Sequence, residues 1–359
     1  MALLKEFRRA GHHTALAVSD ALPQEIFPPG VPRYSKGAES FPVDPPTRGP
    51  AREQWWGEQN RRMAWVSYRD TARIIGEFQP DLIVRDFAER GALLAAESAG
   101  VRHATMLTDS TTALERQLTR EGALMAPLRT ALGLTEDLDG ACQVPLMGVS
   151  LMHPDFYGTN ARLIPNARFF RPPAPRKPAV PAERAGHVPR ILITMGTTAT
   201  VPHLDFLSVA LSGLRGSGAE VVVAAPDEIA GQLASRFSYA TILGFVPLEP
   251  LMDGADLVVG HGGFATMTAA LSRGIPLHLT PFHSDQFFNA ERALSCGFGT
   301  ALRWEDCSSA NLAESLLTTV HSTTIRTAAR EFARRMQTLP ALAQCAELLT
   351  EPLRGAEIL

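Results

Sequence analysis

The C-terminal half of the chain alternates short apolar runs with amphipathic segments. The apolar runs are rich in β-branched residues and cover residues 190–195, 220–225, 241–246, 256–261 and 275–280. Segments with the helical spacing of apolar residues lie between them, over 203–216, from 264 onward and over 285–295. Continuous apolar strands separated by helices indicate a parallel sheet that is covered on both faces.

The N-terminal half shows the same alternation more loosely. Strands are predicted over residues 14–19, 81–86 and 102–107, and a long helix is predicted over 52–78. The chain is therefore expected to be an α/β protein with two Rossmann-like domains, which agrees with its length of 359 residues.

Two proline-rich segments interrupt this alternation. Residues 172–189 contain six prolines, which exclude a regular helix or central strand, so we interpret this segment as a semi-rigid linker. The predicted domains are then residues 1–171 and 190–359. Residues 23–50 contain eight prolines and are expected to form a long loop, either disordered or acting as a substrate-facing lid.

The chain opens with a predicted helix instead of a strand. Leu3, Leu4 and Phe7 share one face of a helix over residues 1–10, and the strand 14–19 follows it. In a doubly wound sheet, the strand before the first helix lies at the centre of the sheet. We therefore expect a first strand and its loop ahead of residue 1, missing from this sequence.

Composition narrows the classes of function. The chain carries 34 basic and 37 acidic residues, a net charge of -3, so nucleic acid is not an expected partner. No apolar stretch reaches the ~20 residues that cross a bilayer, and the first residues lack a signal-peptide pattern. A cytoplasmic protein without stable membrane insertion is expected.

The strongest chemical signal is a glycine-rich turn between a strand and a helix. The strand over 256–260 ends in Gly260, and His261, Gly262 and Gly263 lead directly into a helix. Free amide groups and the positive helix end favour an anion there, and small residues allow a phosphate to approach. His261 and Thr266 can donate hydrogen bonds to that phosphate, and Ala265 keeps the approach open.

Three further segments are predicted to extend this anion site. Gly196, Thr197 and Thr198 follow the strand 190–195 and would add amide and hydroxyl donors. Asp285 and Gln286 suit sugar hydroxyls, although they could instead cap the helix that follows. Phe245, next to Val246, could stack on a nucleobase, although an aromatic residue in a strand more often belongs to the core. His261 itself could be a strand-end histidine bound only to backbone.

These motifs together resemble a known family. Residues 261–266 (HGGFAT), 274–276 (GIP), 285–286 (DQ) and 289–290 (NA) stand at spacings similar to the donor-site signature of inverting nucleotide-sugar glycosyltransferases. The resemblance is greatest to the GT-B enzymes that glycosylate macrolide, enediyne and related bacterial natural products. It implies two Rossmann-like domains that face a central cleft.

The resemblance also implies roles for individual residues. In the family, the nucleobase is held at the positions that match Phe245 and Val246. The diphosphate is held at the positions that match Thr197, Thr198 and His261 and by the amides near Ala265 and Thr266. Asp285 and Gln286 match the pair that grips the donor sugar, and no metal or other cofactor is implied. The N-terminal domain would bind a hydrophobic small-molecule acceptor.

Two departures from the family pattern affect the expected chemistry. Ala265 stands where the family usually has Gly, which is tolerable if its φ is negative. The family's catalytic base lies in the loop after the first strand, which this sequence lacks; Asp109 matches an acidic residue that orients the base in some relatives. A homologue that binds nucleotide sugars without transferring them is therefore a rival interpretation.

Overall fold

The structure is a computed structural model that describes residues 2–20, 27–37, 50–173, 188–196 and 203–354. The chain forms two compact units. The N-terminal unit comprises Met1–Leu151, Asn160–Phe170 and Pro340–Leu359, and the C-terminal unit comprises Met152–Thr159 and Arg171–Leu339. The end of the chain thus belongs to the N-terminal unit, whereas the sequence placed all of 190–359 in one domain. Most of the predicted linker, residues 174–187, lies outside the described residues.

The described residues of the N-terminal unit form two parallel sheets. The strands are β1 (Leu16–Val18), β2 (Arg33–Ser35), β3 (Leu82–Asp86), β4 (Arg102–Met106), β5 (Gly148–Ser150) and β6 (Ala167–Phe169). β1 pairs with β2, and the other four form a sheet in the order β3-β4-β5-β6.

One of these strands corrects a sequence prediction. β2 lies inside residues 23–50, where only a loop was expected, because the backbone of Arg33–Ser35 finds pairing partners in β1. Residues 23–26 and 38–49 of that segment lie outside the described residues. The lid and disorder interpretations stay predictions.

Helices cover the four-stranded sheet. Those of the N-terminal unit are α1 (Ala2–Arg9), α2 (Pro50–Phe78), α3 (Arg90–Ser98), α4 (Glu115–Ala131) and, at the end of the chain, α12 (Leu342–Arg354). α1 forms, as predicted, and its buried Leu3 and Phe7 pack with Val149 of β5 and with Cys345 and Leu349 of α12. The first and last helices of the chain therefore share one apolar core.

The C-terminal unit is a doubly wound sheet. Its parallel strands are β7 (Arg190–Thr194), β8 (Glu220–Ala224), β9 (Thr241–Leu243), β10 (Leu257–Gly260), β11 (Leu277–Leu279) and β12 (Gly299–Ala301). Their order is β12-β11-β10-β7-β8-β9, so the chain reverses direction across the sheet between β7 and β10. Ligands of such sheets bind at the carboxyl ends of the strands beside this switch point.

The predicted strands and helices of this unit are all present. The helices are α5 (His203–Leu214), α6 (Asp227–Ala234), α7 (Leu248–Met252), α8 (Phe264–Leu271), α9 (Gln286–Ser295), α10 (Ser309–His321) and α11 (Thr323–Gln337). One core cluster joins β7, β8 and β10 to α5 and α10 through fully buried residues such as Ile193, Phe206 and Leu316. None of the helices in the described part of the chain is both long and apolar enough to cross a membrane.

A buried histidine lies within this sheet. His278 of β11 has no exposed surface. Its Nδ1 lies 2.8 Å from Thr300 Oγ1 and 3.2 Å from Ser315 Oγ. Burial lowers the pKa of His278 from 6.5 to about 4, so the ring is neutral at pH 7.

The low pKa of His278 predicts a pH dependence of stability. The unfolded chain binds a proton at about pH 6.5 and the folded chain only near pH 4, so acidification through this window favours unfolding, by about 3 kcal/mol for this group. His278→Asn should therefore flatten the fall in unfolding free energy between pH 7 and 4.5, measured by chemical denaturation. The matched His321→Asn change, at an exposed position, should leave the slope unchanged. Equal slopes in all three proteins would contradict this assignment.

Candidate functional site

The glycine-rich turn lies at the carboxyl end of β10, beside the switch point. The turn, His261-Gly262-Gly263, leads directly into α8, which begins at Phe264. Gly263 occupies the N-cap position with extended backbone, and its helix end has no side-chain cap. The N–H groups of the first helical turn are therefore not taken up by a capping side chain and can bind an anion.

His261 presents a neutral imidazole to this turn. Its Nδ1 is buried and has no hydrogen-bond partner among the described residues. Burial, together with the nearby His283 and His203, lowers the pKa of His261 from 6.5 to about 4. An unpaired buried nitrogen costs free energy that a ligand with hydrogen-bonding oxygens would recover.

Gly196 brings the end of β7 against the same histidine. A Cβ atom at Gly196 would lie 2.9 Å from His261 Cε1, and the φ of Gly196 is +71°. His203, at the start of α5, donates from Nε2 to the Met195 carbonyl at 3.2 Å, which fixes its tautomer. Two strand ends therefore meet at one place, as predicted for Gly196 and His261. Thr197 and Thr198 lie outside the described residues.

The segment before α9 forms the neighbouring wall. Gln286 is only 4% exposed, and its Oε1 accepts the N–H groups of Phe282 at 2.9 Å and His283 at 3.2 Å. Ser284 has a φ of +55°, a conformation that a residue other than glycine rarely adopts. The Gln286 amide thus holds a strained turn in place, and whether it also grips a sugar stays a prediction.

Asp285 is connected to the glycine-rich turn through Asn289. Its side chain makes no N-cap hydrogen bond to α9, so the capping interpretation is wrong. Instead, the fully buried Asn289 donates from Nδ2 to Asp285 Oδ2 at 2.9 Å and to the Gly262 carbonyl at 2.7 Å. Gly262 has a φ of +91°, which suits a residue without a side chain. The two motifs that resemble the family signature are joined by this one amide group.

Phe245 lies in a loop instead of a strand, because the pairing of β9 with β8 ends at Leu243. Phe245 is 43% exposed, so it is not a core residue. Its N–H donates to Asp227 Oδ1 at 2.9 Å. A Cβ atom at Gly244 would lie 1.9 Å from the same oxygen, so only glycine leaves room for this bond. Val246 follows in the loop and is half-buried.

The remaining predicted donor-site residues lie in the first turn of α8. Ala265 is exposed and Thr266 is half-buried. Ala265 is helical and is not among the described residues with positive φ, so its methyl group fits without strain. The departure from the family's glycine is therefore accommodated by the local backbone.

Sequence reasoning missed several residues of this region. Asp227, His203 and His283 belong to no motif, and only the fold brings them close to Phe245 and His261. For Asp227 one signal was available: it follows the strand 220–225 directly, at the edge of the sheet where ligands bind.

In the N-terminal unit, Asp109 follows β4 and caps a short 3₁₀ helix over Ser110–Ala113. Its Oδ1 accepts hydrogen bonds from the N–H and the hydroxyl of Thr111, at 2.7 and 2.8 Å. Burial raises the pKa of Asp109, and so does the negative charge of Asp86 at the end of β3. Two interacting carboxylates at the carboxyl edge of a sheet are candidates for acid–base chemistry. The predicted base-orienting role of Asp109 stays a prediction.

Comparison with known proteins supports the resemblance. Residues 209–351 match the family described as erythromycin biosynthesis protein CIII-like, C-terminal domain. An L-demethylnoviosyl transferase of Streptomyces niveus is 29% identical over 247 residues, which cover 64% of this chain and 60% of that protein. The elloramycin glycosyltransferase of Streptomyces olivaceus is 30% identical over 162 residues, 45% of this chain and 41% of that protein. The chain thus spans about three fifths or less of these two relatives.

Solved structures match almost the whole chain. A glycosyltransferase of a Streptomyces species complexed with thymidine diphosphate has a TM-score of 0.76 at 22% identity, covering 98% of this chain and 94% of that one. The calicheamicin glycosyltransferase has a TM-score of 0.77 at 16% identity, covering the same shares. The spinosyn rhamnosyltransferase complexed with thymidine diphosphate has a TM-score of 0.76 at 21% identity and covers 97% and 94%. These matches confirm the GT-B fold.

The contact between Gly244 and Asp227 can be tested by a double-mutant cycle. Gly244→Ala and Asp227→Ala should each remove the bond to Phe245 and lower the unfolding free energy by about 1 kcal/mol. Because both changes break the same bond, the double variant should lose little more unfolding free energy than either single variant. Gly231→Ala is the control, since a Cβ there meets nothing within 4 Å inside α6. Fully additive losses in thermal denaturation would contradict the shared contact.

Proposed function

We propose that the protein is a glycosyltransferase that moves a sugar from a nucleoside-diphosphate sugar to a hydroxyl group of a hydrophobic natural product, with inversion at the anomeric carbon. The observation that carries this proposal is the junction of β10 and α8, where uncapped helix amides adjoin the unpaired His261 Nδ1. The names of the relatives, all transferases of sugars, support the same reaction class.

The diphosphate would lie against the turn over residues 261–263. The α8 amides near Ala265 and Thr266 and the backbone of Gly196 would donate to its oxygens, with Thr197 and Thr198 as further donors. Helix amides and a histidine stabilise a leaving diphosphate as its charge develops, which is the task that a metal performs in other transferases. We therefore propose that no metal is needed.

The nucleoside would lie against the exposed ring of Phe245, with the backbone of Val246 beside it. The Asp227 carboxylate fixes the backbone of Phe245, which keeps the ring available for stacking at little entropic cost. Two of the matched structures are complexes with thymidine diphosphate, so thymidine diphosphate sugars are the first donors to test.

The donor sugar would be gripped by Asp285, whose carboxylate is half-buried, and by Gln286. A carboxylate accepts hydrogen bonds from two sugar hydroxyls, and Asn289 already orients it. The N-terminal unit would bind the acceptor, and Asp109 with Asp86 would assist removal of the hydroxyl proton. Attack on the anomeric carbon then proceeds as the nucleoside diphosphate leaves.

A second candidate function is binding of nucleotide sugars without transfer. It is favoured by one observation: the Asp109 carboxylate is already engaged in capping its own 3₁₀ helix through two bonds to Thr111. A residue occupied in this way is less available to orient a base.

Transfer and binding can be separated in one experiment. The 359-residue chain is incubated with thymidine or uridine diphosphate sugars and a panel of hydrophobic aglycones, and the products are weighed by mass spectrometry. A mass gain of one sugar is expected, and Asp285→Ala should weaken binding of the nucleotide sugar more than binding of bare thymidine diphosphate. Binding without transfer would favour the second candidate, and no binding of either nucleotide would overturn both.

The low pKa of His261 predicts that the protein takes up protons when it binds a nucleotide. Its pKa is about 4 in the free protein, and a bound diphosphate favours the charged ring, so the complex holds the proton up to a higher pH. Affinity should then rise as the pH falls from 7 toward 5. His261→Asn should weaken thymidine diphosphate binding by roughly 1–3 kcal/mol and reduce the uptake.

Calorimetry in two buffers of different ionisation enthalpy measures this uptake directly. The ligand's own phosphate also titrates. Its contribution to the proton uptake is the same for the native protein and for His261→Asn, so it cancels when the two are compared. His321→Asn, at an exposed histidine, serves as the matched control. Identical uptake by the native protein and His261→Asn would remove His261 from the diphosphate site.

A further inference from the structure

A second histidine lies beside the glycine-rich turn, in the loop that leads from β11 into α9. This residue is His283, and the segment 280–282 separates it from the end of β11. β11 pairs with β10, and the Thr280 N–H donates to the Gly260 carbonyl at 2.9 Å. The loop therefore leaves the sheet at the carboxyl edge on which the turn over residues 261–263 lies, where sheets of this kind bind ligands.

The backbone of this loop is held in place on both sides of His283. The preceding residue, Phe282, packs edge-to-face on Phe206 of α5, with ring centroids 6.3 Å apart, and also contacts Trp304 at 5.8 Å. Gln286 accepts the N–H groups of both Phe282 and His283 through its side-chain oxygen. A loop that is anchored in this way pays little conformational entropy when a ligand binds to it.

The imidazole ring of His283 lies against the residue that borders the glycine-rich turn. Gln286 Nε2 is 3.4 Å from each of the two ring nitrogens. The main chain of Gln286 adjoins the turn itself, since a Cβ atom at Gly262 would lie 3.4 Å from the Gln286 carbonyl oxygen. His283 is half-buried, so it is neither enclosed in the core nor fully solvated. The ring thus lies at the edge of the proposed diphosphate site.

The electrostatics of this edge favour an anion. His283 and His203 both help to lower the pKa of His261, and burial lowers the pKa of His283 and of His203. The three rings are therefore neutral at pH 7. A neutral imidazole still donates one N–H, whereas the oxygens of a phosphate accept, so the two groups are complementary.

The neighbours of His283 indicate which phosphate it would meet. The turn over residues 261–263 is the proposed site of the diphosphate, and Asp285, two residues after His283, is the proposed ligand of the sugar. In a nucleotide sugar, the phosphate that carries the sugar lies between these two parts. We propose that His283 donates a hydrogen bond to this sugar-bearing phosphate, an inference that rests on the proposed function. When the bond to the anomeric carbon breaks, its electron pair stays on this phosphate, and a donor there stabilises the charge.

The test compares two nucleotides that differ only in this phosphate: thymidine diphosphate carries it and thymidine monophosphate lacks it. Dissociation constants for both are measured by calorimetry with the native chain and with two variants, His283→Ala and His283→Gln. His321→Ala, at an exposed histidine of the same unit, is the matched control. Thermal denaturation of each variant reports whether the C-terminal unit remains folded.

His283→Ala should weaken binding of thymidine diphosphate by about 10-fold, because a hydrogen bond to a charged group is lost, and should leave binding of the monophosphate unchanged. His283→Gln keeps an N–H donor and should lose less. The control should bind both nucleotides like the native chain.

Three results would overturn this inference alone. Diphosphate binding could be unchanged in His283→Ala. An equal loss for the two nucleotides would show that His283 only supports the turn. A loss confined to the intact nucleotide sugar would place the ring on the sugar. Failure of the native chain to bind either nucleotide would overturn the proposed function, and this inference with it.

Discussion

The side-chain amide of Asn289 is the contact on which the geometry of the donor region depends. It is fully buried, and its two donors are shared between the Gly262 carbonyl and the Asp285 carboxylate. The turn after β10 and the start of α9 are therefore fixed relative to each other by one planar group. A buried amide with both donors satisfied tolerates little displacement, since any shift leaves a polar group unpaired.

The polar side chains of this region differ in whether they already have hydrogen-bond partners within the protein. The side-chain oxygen of Gln286 accepts hydrogen bonds from two backbone N–H groups. His261 differs from Gln286, because its buried Nδ1 has no partner among the described residues. The donor region of the C-terminal unit thus contains residues that support its turns and residues that remain available to bind a ligand.

The sequence predicted the strands and helices of the C-terminal unit because β-branched runs and helical spacing are local signals. It also predicted that Gly196 and His261 would meet, since the carboxyl ends of parallel strands share one edge. It missed Asp227, whose role depends on the approach of Gly244, a contact between residues 17 positions apart. It also missed the pairing of β1 with β2. Strand pairing joins residues that are distant in the sequence, so local composition does not predict it. The assignment of α12 to the N-terminal unit depends in the same way on long-range packing.

The position of α12 has a consequence for the order in which the protein folds. Leu342, Cys345 and Leu349 complete the apolar core that contains Leu3 and Phe7. During synthesis these two sets of residues emerge from the ribosome more than 300 residues apart, so the N-terminal unit waits for the last helix to close its core. The C-terminal unit has its own complete sheet and core by residue 339. Although it is made second, it is the unit that can finish folding first.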